Sequence, residues 1–424
     1  MQLNLASTLK AGATSWPADI SVQLPNGPLL GNAGALVKLT FSNWTDLARL
    51  KAGQIGALGE AYVEGSLQLD GAMRDVVQAA SRLMQKSPVH SDATWWSTLR
   101  RQARSLAAHT AGKDSAQVQF HYDVSDAFYA LWLDPMRVYS CAYYTPLERS
   151  DNAPLSTDCT LAKAQEAKLD HICRKLMLVR GESFLDMGSG WGGLLLWAAE
   201  HYGVDATGVT LSKNQHVYVS KLIAEKGLQR QVRVELRDYR DIASSGQTFD
   251  KISSVGMFEH VGQANMTAYF SSIMNLLKPG GLTLNHGITA GGLDNSQLGA
   301  GMGDFIEKYI FPGGELLHVS AMLAHQARAG LELVDAENLR PHYARTLWDW
   351  SAALEAQLGE ARRVLALTTT AAQAEKTLRA YRLYLAGSAM CFEKGWLSLH
   401  QLLAVKPRGS AAVAYPFNRS YMYG

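Results

Sequence analysis

The stretch FLDMGSGWGG, Phe184–Gly193, sets a short apolar run directly before a glycine-rich turn. In a doubly wound α/β fold, the first strand of the sheet ends in such a turn, which leads into a helix. A helical run, Leu161–Val179, precedes this strand, and helical stretches separate most of the strand candidates that follow. Those further candidates are Ala206–Val209, Val232–Leu236, Lys251–Val255 and Leu282–Asn285. The alternation predicts an α/β fold in which a parallel sheet carries helices on both faces.

Upstream of this pattern, about the first 90 residues mix short strand-like runs with turns. Ile20–Leu24 and Ala35–Phe41 are strand candidates, and Ala72–Lys86 has helical spacing. Between them, Gly59–Gly71 has the pattern of a turn, a short strand and a second turn. These features predict a small α+β domain. We therefore expect two domains, an N-terminal one over residues 1–115 that ends in a linker helix, and a larger one over residues 116–424.

The linker helix is predicted over Trp95–Lys113. One helical face carries Trp95 and Trp96, and the opposite face is rich in arginine. Tryptophans beside arginines suit a lipid headgroup interface, which would give the N-terminal domain an accessory role in lipid binding. The alternative is an inter-domain helix that packs its two tryptophans on a core and leaves its basic face in water.

Composition and charge exclude several classes of protein. The 424 residues are 47% hydrophobic with a formal net charge of +2, so the chain lacks the basic excess of a nucleic-acid-binding protein. The four cysteines form no CxxC pair, which argues against a metal site and favours free thiols in a reducing cytosol. We expect no secretion signal and no membrane-spanning stretch, so any contact with a membrane is predicted to be peripheral.

The residues around the glycine-rich turn point to S-adenosylmethionine as a ligand. Gly188, Gly190 and Gly192 follow the spacing G-x-G-x-G-G, whereas a dinucleotide-binding turn has the spacing G-x-G-x-x-G. Asp186, just before the turn, would crowd a pyrophosphate. Its carboxylate can instead accept a hydrogen bond from the cationic amino group of a methionine moiety.

The next two strand ends complete the predicted cofactor site. The second candidate strand runs into GVTLSKNQ, Gly208–Gln215, which has no acid at the strand tip. Thr210, Ser212 and Gln215 are expected to hydrogen-bond a ribose there. The third strand is followed by Asp238–Tyr239, where a carboxylate and a ring are expected to meet an adenine. A tight turn that binds nothing is the alternative, but it does not account for three polar strand ends in succession.

Three segments in order, FLDMGSGWGG, GVTLSKNQ and SVGMFEHVG (Ser254–Gly262), resemble the cyclopropane fatty acid synthases and the related mycolic acid cyclopropane synthases. His121–Tyr144, Glu307–Leu317 and Arg340–Trp350 are similar to that family as well. The resemblance covers about 300 residues, from His121 to the C-terminus, and is looser in the N-terminal domain. It implies a Rossmann-like S-adenosylmethionine-dependent methyltransferase domain, preceded by a small α+β domain.

The resemblance also implies a reaction. The methyl of S-adenosylmethionine is transferred to a cis double bond of a phospholipid acyl chain, and the resulting carbocation loses a proton and closes to a cyclopropane. An alkene is a weak nucleophile and a carbocation reacts with water, so such a site must be dry and must supply negative charge and a base. The implied partners are unsaturated phospholipid, the inner face of a membrane reached from the cytoplasm, and a second copy of the chain in a homodimer.

In this family the base is a bicarbonate ion, and its binding residues carry over to five positions of the chain. Glu259 would bind and orient the ion. The side chains of His286 and Tyr343 would donate hydrogen bonds to it. The backbone amides of Cys141 and Ile288 would contribute as well.

Several of these positions have simpler alternatives. The resemblance implies that Tyr139 and Ser140 contact the carboxylate of the cofactor. Cys141, which follows them, is also compatible with the role of a small buried hydrophobic residue. We expect no thiolate nucleophile there, since the chemistry needs none. Glu259 is equally typical of an acid placed in the first turn of a helix, and a lone histidine at a strand end, such as His286, is often structural.

Two positions, Ser189 and Ser388, differ from the residues that the family often has there. Ser189 stands in the turn where the family often has cysteine, at a place where only a small residue is expected to fit. Ser388 stands where many members have a cysteine, with Cys391 three residues later. We interpret this serine as evidence that the cysteine is not an obligatory nucleophile. His260 is interpreted as structural.

Three other functions stay open on the sequence. An enzyme that leaves a methyl or methylene branch would use the same cofactor and pass through the same cation. A small-molecule N-methyltransferase would have a similar catalytic domain but would not need the N-terminal domain. A lipid-binding protein with an inactive catalytic domain is the third, and the presence of Glu259, His286 and Tyr343 together argues against it.

Overall fold

The computed structural model of the chain describes residues 18–84, 88–89, 125–145, 159–293, 298–409 and 415–423. The predicted linker helix, Trp95–Lys113, and the predicted boundary after residue 115 lie outside these residues. The strands within them are β1 (Ile20–Gln23), β2 (Leu29–Gly31), β3 (Val37–Phe41), β4 (Leu67–Asp70), β5 (Ser183–Met187), β6 (Asp205–Thr210), β7 (Val232–Leu236), β8 (Phe249–Val255), β9 (Leu277–Ala290), β10 (Glu332–Asn338) and β11 (Leu397–Val405).

The α-helices of the described residues are α1 (Trp44–Lys51), α2 (Ile55–Glu64), α3 (Met73–Leu83), α4 (Asp126–Tyr129), α5 (Leu161–Lys175), α6 (Gly193–Trp197), α7 (Lys213–Glu225), α8 (Tyr239–Ala243), α9 (Met266–Leu276), α10 (Met302–Tyr309), α11 (Val319–Arg328), α12 (Arg340–Glu355), α13 (Leu358–Leu365), α14 (Ala371–Glu393) and α15 (Ser420–Tyr423). A π-helical turn, Ala198–Tyr202, continues α6, and short 3₁₀ turns cover Phe258–His260 and Gln263–Asn265. None of these helices combines the length and the apolar character needed to cross a bilayer.

The chain divides into two compact units, and both are discontinuous in sequence. The first consists of Met1–His90, Gln297–Pro312 and Leu347–Trp396. The second consists of Ser91–Ser296, Gly313–Thr346 and Leu397–Gly424. This division differs from the single boundary predicted after residue 115, because two later segments belong with the N-terminal residues.

The first unit is built on a four-stranded sheet of order β2-β1-β3-β4, in which β1 and β3 are parallel and the outer pairs are antiparallel. The predicted strands Ile20–Leu24 and Ala35–Phe41 are confirmed as β1 and β3. The reading of Gly59–Gly71 as turn, strand and turn is wrong in its first half, since Gly59 lies inside α2 and only Leu67–Asp70 is a strand. Burial of Leu58, Ala61 and Tyr62 on one helical face stabilises α2 there.

The second unit contains a seven-stranded sheet of order β10-β11-β9-β8-β5-β6-β7. The five strands from β9 to β7 are parallel, as predicted, and β7 has the predicted bounds. β11 runs antiparallel to β9, and β10 runs antiparallel to β11. The antiparallel pair was not predicted.

Both faces of this sheet are buried, which confirms the predicted helix layers. Phe184 packs in a core cluster with Leu169, Ile172 and Leu195, residues of α5 and α6. Its neighbour Leu185 points to the other face and packs in a second cluster with residues of α9. Successive strand residues therefore serve opposite layers, as side chains do in a strand covered on both faces.

Candidate active site

The glycine-rich turn between β5 and α6 is held against the end of β6. Gly188, Gly190 and Gly192 have φ angles of +80°, +54° and +83°, in the left-handed region that other residues rarely adopt. The backbone amides of Gly188 and Ser189 donate to the carbonyl oxygen of Val209, at 3.1 and 2.9 Å. The turn consequently leaves an open space beyond the carboxyl ends of β5 and β6.

A cavity of about 180 Å³ occupies that space. Its walls come from the loop before α5, from α5 itself, and from the ends of β5, β6, β7 and β8. Nine of the predicted cofactor-site residues line it: Tyr139, Ser140, Asp186, Gly188, Gly190, Thr210, Gln215, Asp238 and Tyr239. Residues from four separate parts of the second unit thus meet at one cavity, where the sequence predicted a single site.

The two other predicted residues have local structural roles and are not among those that line the cavity. Ser212 is the N-cap of α7, and its Oγ accepts a hydrogen bond from the Gln215 amide at 3.4 Å. Gly192 precedes α6, and a Cβ at this glycine would lie 3.0 Å from the side chain of Val219. Both residues therefore shape the turns beside the cavity. Ser212 caps the first turn of α7, and Gly192 allows close packing at the start of α6.

Asp186 is the buried acid of this cavity. It is 2% exposed, and Oδ1 accepts a hydrogen bond from the Ser253 hydroxyl at 2.6 Å. Burial raises the pKa of its carboxyl to about 6, while this hydrogen bond opposes the shift. The group is therefore mainly ionised at neutral pH and can pair with a cationic amine.

Gln215 offers an unused donor to a ligand in the same cavity. The Thr210 hydroxyl donates to Gln215 Oε1 at 2.7 Å, which fixes the orientation of the amide. Gln215 Nε2 is buried and has no hydrogen-bond partner among the described residues. A buried donor without a partner is costly, so this nitrogen fits an acceptor on a bound molecule such as a ribose hydroxyl.

Asp238 is already engaged within the protein. Its Oδ1 accepts from the backbone amide and Nε of Arg240, both at 2.9 Å, and Oδ2 lies 2.6 Å from Arg240 Nη2. Next to it, the Tyr239 ring packs edge-on against Tyr269. The pair still borders the cavity as predicted, but the Asp238 carboxylate would meet a ligand as part of an ion pair.

Sequence reasoning missed several cavity residues. Lys168, on the buried face of α5, lines the cavity, as do Arg137 and Trp191. His260, interpreted as structural, lies on the wall too. Trp191 lies inside the glycine-rich turn, so its place in the sequence was a signal for the cavity. Lys168 had a weaker signal, a lysine between the apolar positions of an amphipathic helix.

Glu259 lies beside this cavity in the 3₁₀ turn that follows β8. It is 8% exposed, and its Oε1 accepts the backbone amide of Ile288 at 2.7 Å. Its Oε2 is buried with no hydrogen-bond partner among the described residues. Burial raises the pKa of this carboxyl to about 7, and the bond from Ile288 opposes the shift. Glu259 is thus a buried acid that titrates near neutrality, with one free oxygen.

His286 lies on β9, two residues before Ile288. Its Nδ1 is 3.2 Å from the side-chain nitrogen of Gln401, and its Nε2 is buried without a partner among the described residues. Burial lowers the pKa of the imidazole well below its usual value, so the ring is neutral. A neutral ring has one donor and one acceptor nitrogen, and Gln401 occupies one of them.

Gly287 holds the Glu259 turn against β9. A Cβ at Gly287 would come within 2.4 Å of the Phe258 ring, so only glycine leaves room for that fully buried side chain. The His286 carbonyl also accepts a hydrogen bond at 2.8 Å from the amide of Gly256, two residues before that turn. These contacts fix Glu259, His286 and Ile288 within one small region.

Cys141 and Tyr343 are buried as well, and both bond to one carbonyl. The Tyr343 amide donates to the Leu339 oxygen at 3.0 Å. The Cys141 thiol lies 3.9 Å from the same oxygen and 3.2 Å from the carbonyl oxygen of Ala142. Burial raises the pKa of the Cys141 thiol, which argues against a thiolate, as expected. The cavity at the ends of β5 and β6 is not lined by Glu259, His286, Ile288, Cys141 or Tyr343. Sequence neighbours of Glu259 and Cys141 do line it.

Comparison with known proteins identifies the family of the chain. Residues 109–402 match the family model described as mycolic acid cyclopropane synthetase. A probable fatty acid methyltransferase of Pseudomonas putida is 44% identical over 366 residues, which cover 86% of either chain. Cyclopropane mycolic acid synthase 1 of Mycobacterium tuberculosis is 38% identical over 69% of this chain and 97% of its own.

Solved structures show the same fold. A cyclopropane synthase from Mycobacterium tuberculosis matches with a TM-score of 0.61 and 35% identity, over 69% of this chain and 98% of its own. A mycolic acid cyclopropane synthase in complex with SAH and CTAB matches with a TM-score of 0.59 and 36% identity, over 69% and 98%. These likenesses show that the chain belongs to the mycolic acid cyclopropane synthetase family and is an S-adenosylmethionine-dependent methyltransferase.

Proposed function

We propose that the protein is a cyclopropane-fatty-acyl-phospholipid synthase. It would act on a cis double bond of a phospholipid acyl chain and form a cyclopropane ring. The observation that carries this proposal is the buried pair of Glu259 and His286, each with one polar side-chain atom that has no partner among the described residues. A buried acid of pKa about 7 and a buried neutral imidazole fit a reaction that needs a base in a dry environment.

The residues present fit S-adenosylmethionine. The Asp186 carboxylate would accept a hydrogen bond from the amino group of the methionine moiety, and Gln215 Nε2 would donate one to a ribose hydroxyl. Tyr139 and Ser140 would contact the carboxylate of the methionine moiety. The sulfonium cofactor supplies an electrophilic methyl group. The chain's part is to orient that end of the ligand against the floor of the cavity and to keep bulk water from the reacting carbon.

The region around Glu259 would supply the negative charge and the exclusion of water that the reaction needs. A carboxylate at this position stabilises positive charge that develops on the acyl chain, and it acts more strongly where burial excludes water. His286 remains neutral, so it adds no positive charge that would oppose the cation.

A bicarbonate ion also fits this region, because Glu259 Oε2 and His286 Nε2 are buried and have no partner among the described residues. Those atoms, the Tyr343 hydroxyl and the Cys141 amide would hold it, and the ion would supply a base. The Ile288 amide already donates to Glu259 Oε1. We therefore propose that Ile288 acts by orienting Glu259, in place of the direct contact with the ion expected from the resemblance.

We further propose that the enzyme works peripherally on the inner face of a membrane, with the N-terminal unit as an accessory lipid-contacting domain, and that it forms a homodimer. The phospholipid substrate is itself the reason for the membrane location. Loss of vesicle binding in Trp95→Ala/Trp96→Ala, with cofactor binding retained, would support the role of the predicted linker helix. Unchanged vesicle binding would refute it.

The decisive experiment uses S-adenosylmethionine labelled in its methyl group and vesicles of unsaturated phospholipid. We expect the label in the lipid fraction, and NMR of the product should show a cyclopropane. Vesicles of saturated phospholipid are the matched control and should take up no label. Label transfer only to small amines, or none to any lipid, would overturn the proposal.

A methyl or methylene branch is the second candidate product. It is favoured by a specific comparison, because the relative from Pseudomonas putida, 44% identical, is described as a probable fatty acid methyltransferase. A methylene branch adds the same mass as a ring, so the two products are separated by NMR or by fragmentation. A small-molecule N-methyltransferase has weaker support, since coclaurine N-methyltransferase matches at 21% identity and shows the fold alone.

A further inference from the structure

We propose that Lys168 is the counter-charge for the carboxylate of the methionine moiety of S-adenosylmethionine. The proposal names a binding residue in the cofactor cavity that neither the motifs nor the family resemblance indicated. It rests on the use of this cofactor and is independent of the lipid product.

Lys168 is buried to a degree that is rare for lysine. Its side chain sits on the inner face of α5, is 1% exposed and lines the cavity. Its Nζ donates to the Ser140 hydroxyl at 2.8 Å. Ser140 borders the same cavity, so the ammonium group lies at the cavity wall and away from bulk water.

The charge of Lys168 is not neutralised by an ion pair within the described residues. A second buried lysine on α5 provides the contrast, because Lys175 Nζ lies 3.2 Å from Asp335 and 2.6 Å from Glu337. An ammonium group has three donors, and burying it without an anion is costly. Lys175 is thus paired within the protein, whereas Lys168 has a hydroxyl partner and an adjoining cavity.

The same cavity is also lined by a negatively charged residue, Asp186. Asp186 is close enough to Lys168 for each group to affect the pKa of the other. An acid and a base on one cavity wall match the two charges of an amino-acid end, the ammonium group toward Asp186 and the carboxylate toward Lys168. Charge-assisted hydrogen bonds of this kind are the stronger ones in proteins.

The loop that bears Ser140 is fixed independently of Lys168. Gln165 Nε2, one turn earlier on α5, donates to the carbonyl oxygens of Val138 and Ser140 at 3.2 and 2.9 Å. Asp134 accepts the amides of Met136 and Val138, both at 2.9 Å. Holding this loop is therefore not a task that requires Lys168.

The ligand pair that tests the proposal is S-adenosylhomocysteine and S-adenosyl-3-thiopropylamine, which differ only in the carboxylate. In Lys168→Met we expect affinity for S-adenosylhomocysteine to fall roughly 10- to 100-fold, as for a lost hydrogen bond to a charged group. Affinity for the thiopropylamine should stay within about twofold of wild type. Lys163→Met, an exposed lysine on the same helix, is the matched control and should change neither value.

Equal losses for both ligands would mean that Lys168 only shapes the cavity, and no loss for either would mean that it does not meet the carboxylate. Both results overturn the proposal. Methyl transfer to lipid plays no part in this measurement, so a different lipid product leaves the result intact.

A second measurement uses the wild-type protein and does not depend on how the variant folds. Burial lowers the pKa of Lys168 to about 8, and the groups that act against this shift are Cys141, Asp134, Asp186 and Cys173. A bound carboxylate would raise that pKa again, so at about pH 9 binding should take up a proton. Calorimetry in two buffers of different ionisation enthalpy should detect uptake with S-adenosylhomocysteine that exceeds uptake with the thiopropylamine. Equal uptake with both ligands would contradict the assignment.

Discussion

Gln401 of β11 stands directly opposite His286 of β9, and Gln401 Nε2 lies 3.2 Å from His286 Nδ1. Both residues are buried, and His286 is neutral. With the amide nitrogen donating, Nδ1 accepts, and the ring proton resides on Nε2. That nitrogen has no partner among the described residues, so Gln401 presents His286 to the site as a hydrogen-bond donor.

Replacement of Gln401 should disturb the reaction without disturbing cofactor binding. In Gln401→Leu the ring loses the partner that selects its tautomer, and we expect kcat to fall on the order of tenfold at an unchanged KM for S-adenosylmethionine. The ¹⁵N shifts of the His286 ring should show a mixture of tautomers in the variant. Gln326→Leu, another buried glutamine of the second unit, is the control and should keep both kcat and the wild-type shifts. An unchanged tautomer in Gln401→Leu would contradict this role.

Glu259 and Ser388 should differ sharply in their importance. Glu259→Gln keeps the shape of the side chain but removes its charge, and we expect methyl transfer to fall by about 100-fold or more. Ser388→Ala should keep most of its activity, because the position where relatives often carry cysteine is not expected to act as a nucleophile. Rates with labelled cofactor and unsaturated vesicles compare the two variants. Comparable losses in both would refute the assignment.

The sequence predicted the parts of the fold and site that depend on local pattern. An apolar strand followed by glycines identified β5, and the parallel order then placed Asp186, Thr210 and Gln215 at one edge of a sheet. Helical residues at Gly59–Glu64 were missed because Gly59 and Gly65 favoured turns, whereas burial of Tyr62 and its neighbours favours the helix.

Features that depend on distant pairing could not be predicted in this way. Gln401 and His286 are 115 residues apart in the chain and come together only because β9 and β11 pair antiparallel. Lys168 looks like a solvent-exposed lysine until the fold buries its helix face against the cavity. The discontinuous units have the same origin, since segments such as Leu347–Trp396 join the N-terminal residues only through packing.

Activity and stability should depend on pH in opposite directions through Glu259. Its folded pKa, raised by burial to about 7, exceeds the usual value of 4.5, so the folded state holds a proton that the unfolded state releases between these pH values. The free energy of unfolding should therefore decrease by up to about 3 kcal/mol from this group as pH rises through that window. Activity that needs the carboxylate should instead increase through pH 7.

Denaturant unfolding at several pH values, with Glu259→Gln as the reference, measures the stability side of this prediction. The variant lacks the titrating group, so its unfolding free energy should decrease less between these pH values. Parallel pH profiles of stability for the two proteins would show that Glu259 does not titrate in this range.

Gly287 should couple the packing of Phe258 to the position of Glu259. In Gly287→Ala the new methyl would overlap the Phe258 ring at 2.4 Å, so the 3₁₀ turn that carries Glu259 must shift. We expect a destabilisation of about 1–3 kcal/mol, typical of an overpacked core, together with a loss of activity. The double variant Gly287→Ala/Phe258→Leu should recover part of both the stability and the activity, because the smaller side chain relieves the overlap.

Gly359→Ala, at an exposed helix position with open space around it, is the control for Gly287→Ala and should be neutral or slightly stabilising. If Gly287→Ala matches that control in thermal unfolding and in rate, the contact between Gly287 and Phe258 does not position Glu259.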